Sequence, residues 1–146
     1  MNRSKLPVAL LIFSMLAAGC SATTNFEAAQ QDTQLRVKNS SDTAVPRTDK
    51  FSTTSFGNYD FEATLNGHPP MYGILPLKFN GGYLAVDILL FAPATFFNLR
   101  EVFPYYQFDV ASGVIRYKKN ESDPWTTFTP PPHEAERAKA YFAQTQ

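Results

Sequence analysis

Cysteine and histidine are scarce in this sequence. Among 146 residues there is one cysteine, Cys20, and there are two histidines, His68 and His133, each beside a proline. A single cysteine cannot close a disulfide within the chain, and neither histidine stands at the spacing of a zinc-ligand motif. The sequence therefore predicts a domain that folds without disulfides, without a metal ion and without a cofactor.

Glycine is infrequent and the net charge is close to zero. The pair in Asn80-Gly81-Gly82 is too sparse for a phosphate-binding loop. Thirteen basic and thirteen acidic side chains balance over the whole chain, which argues against a nucleic acid as partner. No serine stands in a nucleophile-elbow context with a histidine as its base. An enzyme of unknown type is therefore only the third hypothesis for the function.

The N-terminus has the pattern of an export signal. Arg3 and Lys5 supply positive charge without any acidic residue, and an apolar run of about 13 residues follows, from Leu6 to Ala18. A helix that spans a bilayer needs roughly 20 apolar residues. The pattern therefore favours a cleaved signal peptide over residues 1–19 rather than a permanent membrane helix.

The end of this run, Leu16-Ala17-Ala18-Gly19-Cys20, resembles the lipobox of bacterial lipoproteins. Ala17 departs from the leucine that is most common three places before the cysteine, although small residues are accepted there. The resemblance implies cleavage between Gly19 and Cys20, a diacylglycerol on the Cys20 thioether, and acylation of the new amine by a fatty acid such as palmitate. Several acyl chains make such an anchor effectively permanent. The alternative is an ordinary signal peptide that ends at a chance cysteine.

Ser21 bears on the destination of such a lipoprotein. In that family an aspartate after the lipidated cysteine is the usual signal for retention in the inner membrane, and this chain has serine instead. The resemblance therefore implies the outer membrane, with the globular part facing the periplasm.

The rest of the chain predicts a polar tether followed by one domain. Residues 20–33 are small and polar, which is typical of a flexible tether, and residues 34–146 form the predicted domain, with an ordered core over 56–144. Period-two alternation and turn signals predict strands, and the pattern after the Pro130-Pro131-Pro132 run predicts an amphipathic helix capped by Thr129. The predicted strands are Gln34–Asn39, Tyr59–Leu65, Gly73–Phe79, residues 106–110, Val114–Lys118 and Trp125–Phe128, and the helix is His133–Ala143, with Ala135, Ala138, Tyr141 and Phe142 on its packed face. The predicted class is α+β, with an antiparallel sheet of about four or five strands.

The apolar segment 83–99 exceeds what a small soluble domain ordinarily requires. Its length and lack of alternation predict a helix broken at Pro93, inserted between strands. One hypothesis places the segment in the core. The other makes it a contact with a membrane or partner, through Leu89, Phe91, Phe96 and Phe97. We favour the core, since Asp87 needs a polar partner such as Arg100 or Arg116.

The order of elements over residues 59–118 is similar to small envelope lipoproteins of the PEGA-like type. In those proteins an apolar stretch after a strand pair precedes the last strands. This chain lacks the Pro-Glu-Gly-Ala signature itself, and the resemblance implies a β-rich domain but no activity.

Two leading functional hypotheses follow. The first is a non-enzymatic structural or interaction module, attached to the outer membrane through Cys20 and in contact with another envelope protein. The second is a protein that contacts lipid through segment 83–99.

Overall fold

A computed structural model describes residues 21–52, 58–79 and 100–145 of the chain. These residues form ten β-strands and one α-helix. The elements in chain order are β1 (Ser21–Ala28), β2 (Gln34–Val37), β3 (Arg47–Ser52), β4 (Asp60–Thr64), β5 (Met71–Ile74), β6 (Leu77–Phe79), β7 (Arg100–Val102), β8 (Tyr105–Asp109), β9 (Val114–Lys118), β10 (Thr126–Phe128) and α1 (Pro132–Gln144). The fold is mainly β-sheet with a C-terminal helix, which confirms the α+β class. The described strands form three sheets instead of the predicted single one, and the largest has five strands with one parallel pairing.

Strand β1 lies inside the largest sheet, whose order is β10-β9-β8-β1-β3. It pairs antiparallel with β3 and parallel with β8, with Asn25 opposite Tyr105. The flexible tether predicted over residues 20–33 is therefore wrong, and so is a core that starts near residue 56. The inward face of β1 carries the small residues Ala22 and Thr24 beside Phe26, so the strand lacks the run of large apolar residues by which buried strands are usually identified.

A second sheet of order β2-β4-β5 packs against the first. All its pairings are antiparallel, and the Phe61 ring of β4 meets the Phe108 ring of β8 with centroids 5.2 Å apart. Gly73 permits close packing here, since a Cβ on it would lie 2.7 Å from the Phe61 ring and from Pro130. The predicted turn at Asn66-Gly67 is confirmed, with Gly67 at a φ of +79°.

The core between the two sheets is aromatic and continuous. Its largest fully buried side chains are Phe26, Tyr106, Phe61 and Phe108. At roughly 25 cal/mol for each Å² of apolar surface removed from water, such rings are the main favourable contribution to a fold without disulfides.

Strands β6 and β7 form a separate two-stranded sheet beside this core. Residues 73–79, predicted as one strand, are divided at Leu75-Pro76 into β5 and β6, because proline cannot donate a ladder hydrogen bond. The predicted helical segment 83–99 connects β6 to β7 and lies outside the described residues, as do Asp87 and the four proposed contact residues.

The C-terminal hairpin and helix follow the sequence prediction closely. Strands β8 and β9 form the predicted hairpin, and β10 adds antiparallel to β9. Helix α1 buries Ala138 and Phe142 against β4 and β5. The predicted cap at Thr129 is wrong. Pro131 occupies the N-cap position without a side-chain capping bond, and Pro132 begins the helix, where a missing N–H has no cost.

Candidate functional site

One end of the molecule is defined by the start of β1. Ser21 is the first residue of that strand and pairs with Ser52, the last residue of β3. The Tyr59 hydroxyl donates a 3.0 Å hydrogen bond to the Ser52 carbonyl, and the Leu75 N–H donates a 2.9 Å bond to the Tyr59 carbonyl. These four residues define what we call the Ser21 end. The turn at Leu75-Pro76, directly before β6, belongs to it.

The β6–β7 sheet belongs to the Ser21 end. The Tyr106 hydroxyl, near the start of β8, donates to the Pro76 carbonyl directly before β6. Strand β7 contacts β1, and since β8 already lies opposite residues 25–28, that contact falls on the earlier part of β1. Phe79 pairs with Arg100 at the open end of β6–β7. The Phe79 side chain is 60% exposed. Among the described residues, it is the large hydrophobic side chain that lies exposed to solvent.

A cluster of aromatic and cationic side chains lies on the outer surface of the large sheet, farther from the Ser21 end. Lys118 Nζ sits 4.6 Å from the Trp125 ring centroid and 5.3 Å from that of Tyr105. Tyr105 pairs with Lys118 on one side and with Asn25 of β1 on the other. Trp125 is therefore level with Asn25, about 13 Å along β1 from Ser21 at 3.3 Å per residue.

The part of the outward face formed by β1 and β3 is polar. Alternation along β1 and β3 directs Thr23, Glu27, Thr48 and Lys50 outward, and all four are exposed. By contrast, α1 covers the outward face of the three-stranded sheet. The described residues thus leave one broad sheet surface open, with an edge strand, β3, beside it.

Beneath α1 lies a buried ionic cluster that was not predicted from the sequence. On β4, Asp60 and Glu62 alternate with the core residues Phe61 and Ala63 and point toward the helix. Asp60 lies 3.6 Å from Lys38 Nζ and 3.4 Å from Arg137 Nε. Period-two charges on both β2 and β4 are the signal that could have predicted this ladder.

The Glu62 carboxylate also has two partners in this cluster. Arg36 Nη1 donates to it at 2.8 Å, and the Tyr72 hydroxyl donates at 2.8 Å. Burial, and then the adjacent Glu62 carboxylate, raise the pKa of Tyr72. The Arg36 guanidinium also stacks over the Phe142 ring at 4.8 Å. Each carboxylate is thus neutralised by a cation that contacts the helix, which is an arrangement for docking α1.

A second group of polar contacts lies at the opposite end, where β8 turns into β9. Gln30 Nε2 donates to Asp109 Oδ1 at 2.7 Å, and Arg116 Nη2 lies 3.0 Å from Oδ2. The Gln30 hydrogen bond is the main cause that lowers the pKa of Asp109, aided by Ser112 and Arg116. This carboxylate ties the chain after β1 to the hairpin turn.

The residues considered for chemistry in the sequence are not brought together. His68 is exposed in the turn after β4, and His133 is exposed in the first turn of α1. Arg116, one suggested partner of Asp87, is paired with Asp109. Within residues 21–52, 58–79 and 100–145, no group of three or more histidine, cysteine or acidic side chains could hold a metal ion.

Within the same described ranges, no helix has the length and apolar character needed to cross a membrane. Comparison with known proteins finds no counterpart: no protein-family model, no curated protein and no solved structure matches this chain.

Proposed function

We propose that this chain is a lipid-anchored envelope protein whose domain is a non-enzymatic structural or interaction module at the periplasmic face of the outer membrane. The observation that carries the proposal is the position of β1. Cleavage before Cys20 would leave the strand intact, with its first residue, Ser21, joined directly to the acylated cysteine. After such cleavage only Cys20 would precede the paired residue Ser21.

The buried ionisable groups support a non-catalytic domain. Catalytic carboxylates tend to lie in clefts with perturbed pKa values and an approach for substrate. Here Asp60 and Glu62 are sealed beneath α1 by Lys38, Arg36 and Arg137. These charges serve to fix the helix on the sheet.

The open sheet face supports contact with another envelope protein. Its exposed side chains carry both signs of charge, as in Glu27 and Lys50, and they lie on the adjacent strands β1 and β3. Side chains of both signs can form complementary contacts with a partner protein. We therefore assign the partner surface to β1 and β3.

Lipidation is tested by metabolic labelling with a clickable palmitate. Wild type should become labelled, and Cys20→Ala should remain blank. The matched control is Ser21→Ala, since Ser21 is exposed and its neighbour in the ladder, Ser52, is equally small. A labelled Cys20→Ala protein would overturn the anchor. Sorting is tested on sucrose gradients, where Ser21→Asp should move the protein toward the inner membrane.

The interaction surface is tested with a photo-crosslinking amino acid in intact cells. Placed at Thr48 on the open face, it should give a discrete protein adduct. Lys139, exposed on the outer side of α1, is the control position and should give none. Adducts at Lys139 but not at Thr48 would contradict the assignment of the surface.

A second candidate function is contact with lipid through segment 83–99, proposed as a broken apolar helix. One observation favours it: the chain leaves the described domain at Phe79 and returns at Arg100, both at the Ser21 end where the anchor begins. A crosslinker at Phe96 separates the two functions, because lipid adducts support the second candidate and protein adducts support the first. Leu89→Ala and Phe96→Ala should lower the melting temperature if the segment is core instead.

A further inference from the structure

We propose that the Ser21 end of the domain rests directly on the lipid bilayer, with Phe79 inserted among the lipid headgroups. This inference depends on the proposed lipid anchor at Cys20, and it adds an orientation and a contact residue that the anchor alone does not specify. The occupant of the surface is the bilayer itself.

The absence of a tether carries the first step. Consecutive Cα atoms are 3.8 Å apart, so the acylated residue lies one peptide unit from Ser21, which is already paired in the sheet with Ser52. A flexible linker would allow the domain to stand away from the membrane and to rotate. A strand that begins at the next residue permits little of either motion.

The exposed side chains at this end carry the second step. Phe79 has 60% of its surface exposed although it belongs to a strand. Arg100, its partner in the β6–β7 ladder, is also exposed. Lys50 is exposed near the end of β3. An aromatic ring paired with an exposed arginine matches the interface of a bilayer, where rings lie at headgroup depth and cations reach phosphate groups.

The opposite end shows a different composition. The turn between β8 and β9 consists of Ala111, Ser112 and Gly113, and the turn after β4 presents Asn66 and Gly67. These are small or polar residues with nothing to gain from contact with lipid. The difference between the two ends gives the domain a direction, and that direction agrees with the position of Cys20.

The test uses the full lipidated protein in phosphatidylethanolamine and phosphatidylglycerol vesicles that contain lipids brominated near the headgroup end of their acyl chains. Trp125 is the only tryptophan in the chain, so the emission of the wild-type protein reports how close that one position lies to the bilayer. Two further variants place the probe elsewhere in a Trp125→Phe background: Phe79→Trp at the Ser21 end and Ala111→Trp at the opposite end. Both positions are exposed, so neither substitution removes a core side chain.

Quenching should decrease as the distance of the probe from the Ser21 end increases. Phe79→Trp should lose most of its emission and shift to shorter wavelength, wild-type Trp125 should lose little, and Ala111→Trp should lose none. An equal fractional loss of emission from all three probes would overturn the orientation. A larger loss from Ala111→Trp than from Phe79→Trp would do so too. A Phe79→Trp protein whose emission is not quenched by the brominated lipids, and changes only when an envelope extract is added, would also overturn it. That result would favour a protein partner.

Intact-mass measurement on each sample separates this inference from the proposed function. If the acyl mass is present and Phe79→Trp is not quenched, the orientation fails while the anchor stands. If the acyl mass is missing from wild type, the anchor itself fails, and the inference fails with it.

Discussion

The Tyr106 hydroxyl donates a hydrogen bond to the carbonyl of Pro76 and accepts one from the N–H of Phe103 at 2.9 Å. This single oxygen ties the start of β8 to the turn before β6, and the Tyr106 side chain is fully buried. Burial raises the pKa of Tyr106 far above its usual range. The hydroxyl therefore stays protonated and keeps its donor role.

Removing this hydroxyl should destabilise the fold. Tyr106→Phe leaves the part-buried Pro76 carbonyl and Phe103 N–H without this partner, which costs about 1–3 kcal/mol. Denaturant unfolding of purified wild type and variant measures the difference. Tyr105→Phe, on the half-exposed outer face of the same strand, is the control and should change the free energy of unfolding very little. A Tyr106→Phe protein as stable as the control would contradict this role.

A substitution in β1 distinguishes a core strand from a tether. Phe26 is fully buried and contacts the rings of Tyr106 and Phe108, so Phe26→Ala should cost about 3–5 kcal/mol. The control is Glu27→Ala, one residue later and exposed on the other face. If the two variants melt at the same temperature, β1 does not form part of the folded core.

The cluster beneath α1 should behave as a buried charge with two partners. Replacing Lys38 and Arg137 together with methionine leaves the Asp60 carboxylate uncompensated, with an expected cost of about 3 kcal/mol. Adding Asp60→Asn should recover much of that loss, because an amide requires no counter-charge. Arg137→Met alone should cost less than about 1 kcal/mol, since the Arg137 side chain is 51% exposed. Failure of Asp60→Asn to rescue the double variant would show that packing, not charge, is responsible.

Asp109 predicts a loss of stability in acid. Its pKa is lower in the folded chain than the ordinary 3.8, so the ionised carboxylate stabilises the fold above that value. This contribution is lost as the pH falls below 3.8 and through the folded-state pKa. Denaturant unfolding at a series of pH values should show a shallower acid decline for Asp109→Asn than for wild type. Glu121→Gln, which removes the same charge from an exposed turn, should leave the wild-type slope unchanged.

The parts of the fold that the sequence predicted are those with local signals. The β8–β9 hairpin has alternating residues on both strands around the turn at Ala111-Ser112-Gly113, and α1 follows a proline run with helix-favouring residues. Such patterns depend on neighbours within a few positions. Their strand and helix bounds were therefore close to those observed.

The parts that were missed depend on distant residues. β1 is half polar, and its place in the sheet comes from pairing with β3 and β8 rather than from its own composition. Even the polar Thr24 is fully buried there. Asp60 and Glu62 likewise resemble the solvent-facing half of an amphipathic strand until α1 covers them. Of the candidate site, the proposed lipobox at Cys20 comes from the sequence alone, whereas the pairing of Phe79 with Arg100 at the Ser21 end required the folded sheet.

The pairing of β1 with β8 also bears on the time course of folding along the proposed export route. The Asn25 N–H bonds to the Pro104 carbonyl, so β1 can pair with β3 early but acquires its other neighbour, β8, only after a long intervening stretch of chain. Contacts of such sequence separation form slowly, since the intervening chain must lose conformational entropy first. During that interval Phe26 lacks the rings of Tyr106 and Phe108. On the proposed export route, we therefore expect the chain to depend on a holding chaperone until β8 joins the sheet.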